Sequence, residues 1–218
     1  MRVWAVLTLV AGLFATPVFA HPHVFIDAGV EVIFDADGRA SALRITWSYD
    51  ELYSLSIITD RGFDPDGDGV LTADEKKALS GFDMKWDADF AGDTYALQGD
   101  EPLMLSDPAD WTADYADGKL ISTHVRTLEA PLDLGSVPLV VQAYDPSFYV
   151  AYRIVGTPVL TGNADCSAQV FEPDMAAADA ILAAAMEELN GSDDPEQGFP
   201  AVGAAYADEV RVTCAAPS

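Results

Sequence analysis

Between Val24 and Phe34 every second residue is apolar: Val24, Ile26, Ala28, Val30, Val32 and Phe34 fall on one side, Asp27, Glu31 and Asp35 on the other. Six positions at period two cannot share one face of a helix, so this segment reads as a strand with a buried and a wet side. Asp35-Ala36-Asp37-Gly38 then supplies turn chemistry. Beyond it Leu43, Ile45, Trp47 and Tyr49 alternate with Arg44, Thr46 and Ser48. Two alternating runs joined by such a turn make a β-hairpin.

The pattern changes after Tyr49. Asp50 is placed to cap a helix through Leu52, Leu55 and Ile58 to about Arg61, and a second helix is expected from near Ala73 into Gly81 or beyond, with Leu79 and Phe82 inward. From about Thr94 short strands return: the Asp117-Gly118 turn precedes Leu120–Leu128, followed by Leu139–Tyr144, Phe148–Val155 and a last strand at Glu209–Cys214. Met175, Ala178, Leu182, Ala185, Met186 and Leu189 repeat at helical spacing and read as a core-packing helix, stopped by Asn190-Gly191. Residues 191–207 read as an acidic loop. The expected class is α+β: mostly antiparallel β with an inserted helix–loop–helix at about 50–90 and a C-terminal helix, in one domain over 21–218.

The ends of the chain bear on compartment. Met1-Arg2, the apolar run Val3–Phe14 and the small-residue site Val18-Phe19-Ala20 have the layout of a secretory signal peptide over residues 1–20. Position 21 is not Cys, and no later apolar stretch approaches the ~20 residues of a spanning helix, so an exported, periplasmic protein is expected. Cys166 and Cys214, the two cysteines of the chain, are expected as a disulfide; a thiolate metal pair is the rival reading, without CxxC spacing or a neighbouring His. With 36 Asp+Glu against 11 Lys+Arg the net charge is −25, which argues against nucleic acid or anionic membrane surfaces as partners.

Residues 64–75, Asp-Pro-Asp-Gly-Asp-Gly-Val-Leu-Thr-Ala-Asp-Glu, fit the twelve-residue EF-hand calcium loop. Asp64, Asp66 and Asp68 stand at the carboxylate positions, Gly69 at the sharp turn, the Val70 carbonyl and Thr72 at the seventh and ninth positions, and Glu75 at the bidentate closing position. Such an oxygen set favours Ca²⁺ over octahedral Mg²⁺. A lone loop in an exported chain suits a structural clamp better than a sensor, because sensors pair their loops.

The three histidines form the second constellation. Cleavage after Ala20 would give His21 a free α-amine beside its imidazole, with His23 on the same side of an extended segment; Ni²⁺, Cu²⁺ and Zn²⁺ all suit such donors. Pro22 has no amide proton, which excludes square-planar ligation through that nitrogen. His124 shares the more polar face of its strand with Ser122 and Arg126 and would complete a three-imidazole site if the hairpin brought it alongside, although Arg126 disfavours a cation. The alternative is a solvated N-terminus and an unrelated surface His124.

The segments His21-Pro22-His23-Val24-Phe25-Ile26-Asp27, Ile45-Thr46-Trp47-Ser48-Tyr49-Asp50-Glu51-Leu52-Tyr53-Ser54, the acidic loop and Tyr144-Asp145-Pro146-Ser147-Phe148-Tyr149-Val150 together resemble a bacterial family, domain of unknown function 1007. The resemblance covers nearly all of 21–218. Members are often labelled periplasmic components of ABC-type transport, which implies an accessory role beside nickel/cobalt-type or other metal permeases. No nucleophile elbow, phosphate-cradling glycine loop or His-Glu-x-x-His helix is present, so an enzyme is not expected. Two functions follow: an exported calcium-binding accessory of divalent-metal transport using His21 and His23, or a calcium-stabilised protein-interaction module in which the histidines are incidental.

Overall fold

The computed structural model describes residues 21–135, 137–162, 165–188 and 199–215; the signal segment 1–20 and the Asn190-Gly191 stop lie outside the described residues. Strands β1 (Val24–Phe34) and β2 (Ala40–Tyr49) pair antiparallel, with Ala28 opposite Trp47, Val30 opposite Ile45 and Val32 opposite Leu43. This register puts both apolar rows on one face, and each of these six side chains is buried. The Asp35 carboxylate holds the turn by accepting from the Asp37 and Arg39 amides and from the Arg39 guanidinium.

Helix α1 (Glu51–Arg61) follows at once. The Asp50 side chain accepts from the Tyr53 amide at its start, and Gly62, left-handed at φ 65°, ends it. The buried side chains are Ser54 and Ile58, whereas Leu52 and Leu55 are exposed. Helix α2 (Ala73–Ala78) begins with a Thr72–Glu75 capping box but ends well before Gly81. Leu79 turns fully into the core and residues 79–83 continue as turns, so burial of that one leucine replaces further helical growth.

The second half adds β3 (Thr94–Gln98), β4 (Glu101–Leu103), β5 (Ala109–Ala116), β6 (Lys119–Leu132), β7 (Leu139–Ala143), β8 (Val150–Ile154), β9 (Val159–Thr161), β10 (Cys166–Phe171) and β11 (Glu209–Cys214). One sheet runs β5-β6-β2-β1-β8, with β9 also on β1, and the other runs β10-β11-β7-β3-β4. Among the described residues only the β1–β8 and β1–β9 pairings are parallel. Val30, Val32 and Ile45 of the first sheet share a core with Ala96, Val141 and Val210 of the second, an α+β arrangement as expected.

Two expectations change. Helix α3 (Met175–Glu188) is a surface helix: Ala178 is its buried residue, while Met175 and Ile181 are about half exposed. Its alanines offer too little apolar surface for a deep contact, and it rests on the short 3₁₀ turn 203–206, where the Tyr206 hydroxyl reaches Asp179. On β6 the row Ser122, His124, Arg126 is not a wet face but lies buried with Leu120 and Leu128. Cys166 and Cys214 are joined and face each other across β10 and β11, closing a 48-residue separation.

Candidate functional site

Two clusters carry the sequence-derived donors. In the loop 64–75 the Asp64, Asp66 and Asp68 carboxylates lie within 4.8 Å of one another. The backbone makes this possible: Gly67 and Gly69 adopt φ 68° and 77°, their amides donate to Asp64, and the Val70 amide donates to Asp68. The amide of Gly69 holds the Asp64 carboxyl below its ordinary range. The hydrogen bond shared with Asp64, reinforced by the charge of Asp68, pushes Asp66 above it. Like charges so close are relieved by a cation, and an all-oxygen set suits a hard one. Glu75 stands apart from the three: its carboxylate accepts from the Thr72 amide and hydroxyl at 2.6 and 2.7 Å. Binding a cation bidentately requires it to leave that cap. Val70 is exposed and Leu71, at the eighth position, is buried.

The second cluster is at the start of β1. The His21 and His23 rings lie 5.0 Å apart between centroids, His23 is 4.7 Å from the Tyr149 ring, and His21 stacks on Phe199 at 4.1 Å. The distinctive segments explain how they meet. The Asp50 carboxylate accepts from the Phe25 amide as well as from Tyr53, which ties the first residues of β1 to the start of α1. Asp145 accepts from the Ser147, Tyr149 and Val150 amides, a turn that seats Tyr149 beside the histidines, and the His23 amide donates to the Tyr149 carbonyl. Asp50, Asp145, Tyr149 and Phe199 were not singled out as site residues in the sequence; the segments of resemblance hold the signal for the first three.

His124 does not join them. It pairs in register with Ile45, which faces Val30, seven residues along β1 from His23 and hence about 23 Å away at ~3.3 Å per residue. Its ring is wholly buried between Trp47 and Trp86.

The family described as a protein of unknown function, DUF1007, matches residues 6–214. The chain belongs to the DUF1007 family. No curated protein matches it. In this DUF1007 chain the match ends at Cys214, which closes the disulfide.

Proposed function

We propose that this is an exported calcium-binding protein that serves divalent-metal transport in the periplasm as an accessory. The observation that carries it is the convergence of Asp64, Asp66 and Asp68 within 4.8 Å on a glycine-turned loop between two helices. Ca²⁺ there clamps α1 to α2 and is structural. The transport role rests on His21 and His23, whose rings converge and which take Ni²⁺, Cu²⁺ or Zn²⁺ once cleavage frees the α-amine. The partner is a membrane permease or ABC-type transporter, and the disulfide agrees with an oxidising compartment. Among the described residues no helix is long and apolar enough to cross a membrane.

Two measurements test this. Saturating Ca²⁺ should raise the melting temperature, and Asp64→Ala or Glu75→Gln should abolish the rise; a melting temperature indifferent to Ca²⁺ overturns the calcium assignment. Protein beginning at His21 should bind Cu²⁺ or Ni²⁺ much more tightly than protein with one extra N-terminal residue, with His23→Ala a smaller loss. Equal affinity in both favours the second reading, a calcium-stabilised interaction module. The exposure of Phe25, Leu52, Leu55 and Tyr149 on β1, α1 and the turn before β8 supports that reading.

A further inference from the structure

Strand β8 ends the path of the first sheet, so among the described residues one of its edges has no strand hydrogen-bonded to it. Such an edge invites an added strand unless its outward amides are taken. Here two of them are: the Val150 amide donates to the Asp145 carboxylate, and the Ile154 amide donates to Asp208 at 2.7 Å. The same edge borders a surface cavity of about 520 Å³ that reaches across to Val170 on β10, in the second sheet. A space of that size between two sheets suits a small molecule, while the occupied amides leave a strand little to bind.

The lining is apolar and aromatic around a few charged groups. The Phe148 and Tyr206 rings stack at 4.2 Å and 14°. Phe148 holds its place at φ 56°, a left-handed backbone that costs a bulky residue roughly 1–2 kcal/mol. Of the charged groups, Asp208 is nearly buried at 7% exposure. Its Oδ2 takes the Ile154 amide, whereas Oδ1 has no partner among the described residues and is not shut off from solvent. Burial holds the Asp208 carboxyl above its ordinary range; the Ile154 amide and Arg153 oppose that shift, and the charge of Glu172, also in the lining, adds to it. Arg153 is the cation of the lining, and its guanidinium already donates to Asp27. The start of α3 offers nothing to an anion either, because the Asp174 carboxylate takes the Ala176 and Ala177 amides there.

We propose that this cavity binds a free small molecule with an aromatic or other apolar body and a single ammonium head, the head set against Asp208 Oδ1 and the body against the Phe148–Tyr206 pair and Val170. The sign of the head follows from the charges: two carboxylates face one guanidinium that is already engaged. An anion would meet those carboxylates without a free cation to offset them. A metal ion needs a shell of ligands that two carboxylates do not fill, whereas an ammonium has three donors and is satisfied by a few acceptors. Stacked aromatic rings also favour a cation near their faces and an apolar body between them and the aliphatic wall. The cavity shares no residue with the aspartate loop or with His21 and His23.

The test is a titration of protein beginning at His21, saturated with Ca²⁺ and without added transition metal. The probes are phenethylamine, phenethyl alcohol and phenylacetate, which share a body and differ in the head. The Met175 methyl and Tyr206 ring signals, followed by NMR, should shift saturably with the amine, and the alcohol and the acid should bind at least about tenfold more weakly. Asp208→Asn keeps an acceptor for the Ile154 amide but loses the charge, so it should bring the amine down to about the affinity of the alcohol. No saturable shift, an alcohol or acid bound as tightly as the amine, or an amine preference unchanged by Asp208→Asn overturns the proposal. None of these results touches the calcium or N-terminal metal readings, because neither enters the titration. Should Asp208→Asn fail to fold, NMR contacts between phenethylamine and the Ile154 and Tyr206 side chains of the unsubstituted protein decide: their presence supports the site, and their absence overturns it.

Discussion

Asp93 shows how far a single side chain can set the response to pH. It is buried at φ 44°, a left-handed backbone that Asp and Asn tolerate, and its carboxylate accepts from the Tyr152 hydroxyl at 2.9 Å. Burial raises its pKa to about 7 despite that hydrogen bond, and the charge of Asp145 adds to the rise. Between about pH 4 and 7 the unfolded chain has therefore released a proton that the folded chain keeps, so this group's contribution to stability falls as pH rises through that window. The whole effect is on the order of 4 kcal/mol at ~1.4 kcal/mol per pKa unit. Asn keeps the backbone conformation and an acceptor for Tyr152 but cannot ionise. Asp93→Asn should thus flatten the decline, with urea unfolding at pH 5 and pH 8 as the measurement; curves for the two proteins that stay parallel across this range would refute the assignment.

At the scale of elements, α1 is tied to the first sheet through one small polar residue. Ser54 is fully buried; its hydroxyl donates to the Tyr49 carbonyl and accepts from the Leu120 amide at 2.9 Å, linking helix to β6. Ser54→Ala should cost about 1–3 kcal/mol, the penalty for a buried donor losing its acceptor, whereas exposed Leu52→Ala should change chemical stability by less than about 0.5 kcal/mol. Equal losses would mean that α1 is held by apolar contact instead. Gly92→Ala, with φ 71° and the Trp86 ring in the way, should be more damaging than either. Much of this level was legible in the sequence. Strand β1, helix α1 and strand β11 fall where alternation and capping residues put them, because each has a local cause. The clustering of Asp64, Asp66 and Asp68 was legible too, since the glycines and aspartates of this loop form their own contacts within a few residues. The Ser122–His124–Arg126 row was misread for the opposite reason: its partners, Asp83, Ala91 and Trp86, come from a distant turn segment that no periodicity announces. The same limit hid Tyr149 and Phe199 beside the histidines, and it made α3 look like core, because helical spacing of alanines does not say what they face.

For the whole molecule, the proposed calcium clamp and the disulfide lie on different sheets. The loop 64–75 sits between α1, which packs on β6, and α2, whose Lys76 pairs with Asp114 on the edge strand β5 of the first sheet. The disulfide fastens β10 to β11 at the edge of the second, across 48 residues that carry α3. In the chain-entropy account the bond contributes roughly 4 kcal/mol by restricting the unfolded chain. On the proposed reading, Ca²⁺ would act on the folded state by mass action, about 2.7 kcal/mol at a hundredfold excess over its dissociation constant. The loop and the disulfide are attached to different sheets, and the effects of distant, independent sites add. Replacing Cys166 and Cys214 together by Ser should therefore lower stability by the first amount with or without Ca²⁺, while the increment from Ca²⁺ stays within about 0.5 kcal/mol of its value in the disulfide-bonded protein. Denaturant unfolding of both proteins, each with Ca²⁺ and with chelator, closes this cycle. A calcium increment that vanishes when the disulfide is removed would show that the two sheets do not hold their folds separately, and that the second edge must be fastened before the loop can bind.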